Sequence, residues 1–275
     1  MHLRSTAVFL FQVIELALLF TVTASAQTSL WAGPKPRGPL KPFVLDMMGT
    51  LRKDDGAVGP PITFHDTLEK TRWHGHRAMR RVAATTMPGG TEFARWSVVV
   101  FDERTLLPYY TELRRADGAF MRREFDGVHV KETRTAGDYR KPLHLAPGTK
   151  PETVMLRFDL SEPAFAWAEG VGLPVLLAAP LRDGFAGSVP VISGDRSAVM
   201  PCFTGPCFVH RLTYRVMGRE EITGISGKPT RTWKISVPET GFTFWISCEN
   251  PRLEGVTWPA FQGGGTFSMG PLVRN

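Results

Sequence analysis

Residues 109–135 read YYTELRRADGAFMRREFDGVHVKETRT, and this stretch decides the fold. Tyr109 to Arg115 alternates and stops at Asp117-Gly118. Ala119 to Phe125 alternates and stops at Asp126-Gly127, and Val128 to Thr135 resumes the pattern. Asp-Gly between alternating runs is a hairpin signal, because glycine takes the positive φ that a tight turn requires. Upstream, Trp73 to Thr86 and Thr91 to Phe101 flank Met87-Pro88-Gly89-Gly90, so five consecutive strands form a meander. With period two, the long polar side chains of Arg114, Arg122, Glu124 and Lys131 cover one side of the sheet, and apolar partners face a core or cavity.

Further strands are expected at Val154 to Leu160, Val209 to Ile225, Thr230 to Val237, Gly241 to Cys248 and Thr266 to Val273. Between them, Val171 to Arg182 is the one helical segment, with Pro174 suited to a first turn and Pro180 to an exit. It is apolar on every side and therefore has to be buried. A sheet with one greasy helix either curls round it or splits into two stacked layers with the helix as a plug. The expected class is mainly β: a large antiparallel meander curled into an open half-barrel around one short apolar helix.

The N-terminus fixes the expected compartment. Arg4 precedes an apolar run, Ala7 to Val22, and Ala24-Ser25-Ala26 is a small-x-small cleavage pattern before Gln27. Residues 1–26 thus read as a signal peptide, and no transmembrane anchor is expected after Gln27. Residues 27–61, rich in Pro, Gly and Lys, read as an extended arm, and residues 62–275 as a single β-rich domain. The expected location is the periplasm of a Gram-negative bacterium. The formal charge of +7 is scattered along the chain, which favours solubility; no nucleic-acid partner is expected.

Cys202, Cys207 and Cys248 leave one thiol over in an oxidising compartment. Cys202-Phe-Thr-Gly-Pro-Cys207 encloses a Gly-Pro turn that brings its ends within disulfide reach, and Cys207 with Cys248 is the rival pairing.

No Gly-x-Ser-x-Gly elbow, His-Glu-x-x-His helix or phosphate-binding glycine loop occurs, so no catalytic residue, cofactor or metal is assigned. His74-Gly75-His76 has ligand-like spacing if it lies on a strand, against the simpler reading of surface histidines beside Arg72 and Arg77. Glu220 and Glu221 beside Arg219 read as a solvated charge cluster before an acid–base pair. Aromatics gather in the second half: Phe165, Trp167, Trp233, Phe242, Phe244, Trp245, Trp258 and Phe267. Most belong to a core, and the rest suit a cleft for an acyl chain.

Several motifs also occur in a familiar order. They are Asp102-x-x-Thr105-Leu106-Leu107-Pro108, Glu124-Phe125-Asp126-Gly127-x-x-Val130, Leu176-Leu-Ala-Ala-Pro-Leu-Arg-Asp-Gly-Phe185, Gly218-Arg-Glu-Glu-Ile222, Thr232-Trp-Lys-Ile235 and Thr243-Phe-Trp-Ile-Ser247. From Trp73 to Met269 the chain resembles an exported bacterial family known only as a domain of unknown function. That family is similar to the lipoprotein carriers of the LolA and LolB type. The resemblance implies a half-barrel over an apolar cavity, and it carries over no catalytic residue.

The expected activity is therefore non-catalytic binding of a hydrophobic small molecule, lipid, acyl chain or lipoprotein segment. Its wall is assigned to Phe120, Phe125, Phe165, Trp167, Leu176, Leu177, Trp233, Phe244 and Trp245. The alternative is a cell-envelope assembly protein that binds another protein through its sheet edge or basic face.

Overall fold

The structure, a computed structural model, describes residues 40–86, 95–137, 141, 143, 149–259 and 265–271. The signal-peptide segment and residues 27–39 of the arm lie outside them.

Among the described residues, fourteen strands make one antiparallel sheet that is curled and open, not closed into a barrel. The first eight are β1 (Phe43–Arg52), β2 (Ile62–Trp73), β3 (His76–Thr86), β4 (Arg95–Asp102), β5 (Pro108–Arg115), β6 (Phe120–Asp126), β7 (His129–Thr135) and β8 (Thr153–Asp159). The chain then crosses to the opposite edge. There β9 (Ala186–Ser193), β10 (Phe208–Thr223), β11 (Pro229–Val237), β12 (Phe242–Ser247), β13 (Leu253–Pro259) and β14 (Thr266–Pro271) return to pair with β1. The sheet order is β8-β7-β6-β5-β4-β3-β2-β1-β14-β13-β12-β11-β10-β9, so β8 and β9 are its two edges.

Both Asp-Gly turns form as the sequence requires, with Gly118 at φ 88° and Gly127 at φ 60°. The arm assigned to residues 27–61 needs correction: Phe43–Arg52 is an interior strand, paired with β2 on one side and β14 on the other. Its alternation puts Leu45, Met47 and Gly49 into the interior, but flanking Pro and Gly residues hide the pattern. Strand β13 is hidden in the same way, because Pro251, Gly255 and Pro259 punctuate it.

The crossing segment is the plug. A π-helical turn, Trp167–Val171, leads into α1 (Gly172–Ala178), all seven residues of which are buried. The helix is shorter than Val171–Arg182 because Pro180 disfavours helical backbone at Ala179, which is extended at ψ 145°. Just before the turn, Phe165 bridges to β9: its N–H donates to the Pro190 carbonyl at 2.9 Å, and its carbonyl accepts from Ile192 N–H at 3.0 Å. Plug residues Phe165, Val175 and Leu176 share one core with Met47, Leu68, Met79, Phe101, Leu212, Ile235 and Ile246 on the concave face. Burial of this apolar set supplies most of the driving force for the curl.

Candidate functional site

Charges lie inside this core, where the sequence pattern called for apolar side chains. Phase places Met121, Arg123 and Phe125 on the concave side of β6, and Val130 and Glu132 on that of β7. Arg123 and Glu132 are direct cross-strand partners, and both side chains are fully buried. Arg123 Nε donates to Glu132 Oε2 at 2.8 Å, Nη1 donates to Glu169 Oε1, and Nη2 donates to the Cys202 carbonyl. Glu132 Oε1 accepts from Arg134 Nε at 3.0 Å and from Gly205 N–H at 3.2 Å.

A second, half-buried arginine acts beside the first. Arg81 Nε donates to Asp66 Oδ1 at 2.9 Å, and Nη1 donates to the Gly170 carbonyl at 2.5 Å. Adjacent plug residues Glu169 and Gly170 are thus held by arginines from β6 and β3, on either side of strands β4 and β5 against which the π-turn packs. Gly170 sits at φ 135°, where a Cβ would also press Val99 Cγ1 at 3.2 Å, so the clamp needs glycine there. Charge in the cluster balances, with Asp66, Glu132 and Glu169 against Arg81, Arg123 and Arg134. Because Arg123 and Glu132 are sealed from solvent, this is a fastening and not a place for substrate.

Glu169 Oε2 has no hydrogen-bond partner among the described residues. Burial pushes the Glu169 carboxyl above its ordinary value of 4.5, while Arg123 pulls it down. A carboxyl whose folded pKa is raised adds stability below its unfolded value and loses that contribution as pH rises through the folded value. Hence wild type is expected to gain stability relative to Glu169→Gln as pH falls from about 7 to about 5. The His129 pKa is raised too, chiefly by its hydrogen bond to Asp159, but both proteins carry it and it cancels. Melting temperatures measured across this range check the point; a pH-independent difference between the two proteins would refute it.

Cys202 and Cys207 stand at bonding distance with Cα atoms 5.9 Å apart, and Cys248 is the free thiol. Their loop, from the β9–β10 connection, reaches strands of the opposite edge: a Cβ on Gly205 would meet the Phe158 ring at 2.9 Å. The loop therefore spans the opening between the two edges from the inside.

Of the nine assigned wall residues, Phe165, Leu176, Leu177, Trp233 and Phe244 are packed in the core, and Phe125 joins them. Trp167 is half-buried, its ring 2.9 Å from where a Gly172 Cβ would stand. Phe120 and Trp245 need correction, because they lie on the convex face. Phe120 is out of phase with Met121 and Phe125 and packs under the Arg122 guanidinium, 5.1 Å from its ring centre. Trp245 falls between inward Phe244 and Ile246, and its Nε1 donates to Glu220 beside Lys234. Glu220 is thereby accounted for as a partner of Trp245 and Lys234. His74 and Gly75, at φ 45° and 87°, form the β2–β3 turn, so the strand spacing that a two-histidine metal site needs does not apply.

The concave face does present an apolar shelf, at the end of the sheet away from that turn. Phe242 stacks on Phe244 at 5.6 Å, Trp258 on Phe242 at 5.5 Å, and Phe267 on Trp258 at 5.2 Å, with interplanar angles of 14°, 8° and 14°. Phe64 meets Trp258 edge-on at 6.4 Å. Strand register explains the ladder, since Phe242, Trp258 and Phe267 are cross-strand neighbours on β12, β13 and β14. Phe64 lies over Gly49, whose absent side chain leaves room for its ring. Phe244 anchors the inner end in the core, whereas Phe64, Phe242, Trp258 and Phe267 are half-buried. The sequence gathers Phe242, Phe244, Trp258 and Phe267, and only pairing of distant strands makes them one surface. Comparison of the chain with protein-family models, curated proteins and solved structures finds no match.

Proposed function

We propose that this protein is an exported, non-catalytic carrier that binds a lipid, acyl chain or lipoprotein segment in the periplasm of a Gram-negative bacterium. The observation that supports the reading is the half-buried ladder of Phe242, Trp258 and Phe267 on the concave face. Aligned aromatic faces that remain partly open to water gain free energy when an apolar chain covers them. The π-turn of the plug packs against β4, β5 and β9, and the clamp fixes it there. A guest on the shelf would then lie on one side of a rigid partition.

The test is titration of delipidated protein with brominated fatty acids while tryptophan fluorescence is followed. Saturable quenching is expected. Trp258→Ala is expected to weaken affinity by roughly 1.5–3 kcal/mol, or about ten- to hundredfold, through lost apolar contact. Trp245→Ala, on the convex face, should leave affinity unchanged. Absence of saturable binding by wild type would remove the proposal. One observation favours the alternative of an envelope docking protein: β8 ends the sheet as an edge strand and exposes Met155 at 59%.

A further inference from the structure

A shallow cleft of about 660 Å³ lies on the convex side, at the end of the sheet that carries the β2–β3 turn. Its floor is two charged cross-strand rows on β6, β7 and β8, Glu124, Lys131 and Arg157 in one and Asp126, His129 and Asp159 in the other, with the Phe125, Val130 and Phe158 row between them. Trp73 and Tyr109 stand beside it. Trp73 stacks on Tyr110 with ring centres 5.4 Å apart, and Tyr109 O–H donates to Asp102 Oδ2 at 2.9 Å, so both rings are fixed in place.

The charges of the floor sort themselves. Lys131 Nζ pairs with Glu124 Oε2 at 3.4 Å, and His129 Nδ1 with Asp159 Oδ1 at 2.7 Å. Asp126 and Arg157 have no ion-pair partner among the described residues, and they occupy opposite corners of the floor. Strand spacing sets those corners two strands apart, roughly 9.6 Å, and two residues along, roughly 6.7 Å. An apolar guest would strip water from six titratable groups without replacing their hydrogen bonds. A polyanion would meet Glu124, Asp126 and Asp159. A small molecule with a cationic end and an anionic end answers both corners, and its cation also lies beside the aromatic rings of Trp73 and Tyr109.

We infer that this cleft binds a zwitterion, its ammonium at Asp126 beside Trp73 and Tyr109 and its phosphate or carboxylate at Arg157. Two sources carry that chemistry, an ethanolamine phospholipid headgroup and the ends of a short peptide. The site lies on the face opposite the aromatic shelf and does not depend on the carrier reading.

Calorimetric titration of the purified protein with glycerophosphoethanolamine, glycerophosphoglycerol and the dipeptide Ala-Ala tests it. At least one zwitterion is expected to saturate, with glycerophosphoglycerol weaker than it by about tenfold or more. Arg157→Gln should weaken the zwitterion by about tenfold, and Asp126→Asn should erase the preference over glycerophosphoglycerol. Both substitutions are at exposed positions, and Lys228→Gln in the distant β10–β11 turn serves as an unaffected control. Tighter glycerophosphoethanolamine assigns the headgroup, and a tighter dipeptide assigns peptide ends; either supports the site. No saturation by either zwitterion, equal affinity for glycerophosphoglycerol, or unchanged binding in both variants overturns it.

Discussion

Arg123→Ala is expected to destabilise the protein by about 3–5 kcal/mol, the usual cost of removing one partner from a buried ionic cluster. Its guanidinium joins β6 to Glu132 on β7, to Glu169 in the plug and to the Cys202 carbonyl. Without it Glu169 loses its only side-chain partner among the described residues, and Glu132 keeps Arg134 and Gly205 N–H. Lost methylene packing adds to the unmatched charge. Arg123→Lys should fall between wild type and alanine, since an ammonium keeps the charge without a planar fork for three acceptors. Arg123→Met with Glu132→Leu and Glu169→Leu should recover at least half of the loss, because no fully buried charge is left alone and Arg134, which loses Glu132, still donates to the Gly137 carbonyl at 2.8 Å. Urea unfolding at constant pH gives all three values. A loss below about 1 kcal/mol for Arg123→Ala would place the cluster among ordinary surface pairs and refute the clamp.

That cluster marks the limit of what the sequence makes legible. Alternation and the Asp-Gly turns determine the meander from β3 to β7, since both are local and each residue's phase is set by its neighbour's. The plug is legible at 171–182 because an apolar stretch between prolines has nowhere to go but inside. Arg123 and Glu132 are also in phase with Phe125 and Val130, yet charge outweighs phase in a sequence reading and neither is assigned to the core. Two oppositely charged residues on the apolar phase of adjacent strands, in cross-strand register, are the signal that reveals them. Phe120 and Trp245 err in the other direction, as aromatic character overrides phase. The ladder depends on the pairing of β14 with β13 and of β1 with β14, which joins the ends of the described chain. Periodicity carries no information about such long-range closure.

Exchange of both Cys202 and Cys207 for serine is expected to cost about 2–4 kcal/mol, and the source of that cost can be separated by experiment. Constraint of the unfolded chain across a six-residue loop accounts for roughly 2 kcal/mol. If this were all, the loss would add to that of Arg123→Ala. The structure gives the loop a second role, because Arg123 reaches the Cys202 carbonyl and Glu132 reaches Gly205 N–H. A loop held shut by its sulfur bridge presents these two groups, three residues apart, to one buried ion pair. Once the bridge is gone, the loop must be ordered at an entropic cost before it can dock, and Arg123 loses part of its value. The triple variant Cys202→Ser, Cys207→Ser, Arg123→Ala should therefore be more stable than the sum of losses predicts by about 1 kcal/mol or more. Hydrogen exchange offers an independent reading: the cysteine pair variant should lose protection at β7, β8 and the Phe165 bridge before β2 and β3. Strict additivity, together with uniform loss of protection over the sheet, would reduce the bridge to a constraint on the unfolded chain. Coupling with local loss at the edges would make it the part that holds the two ends of the curled sheet to a common plug.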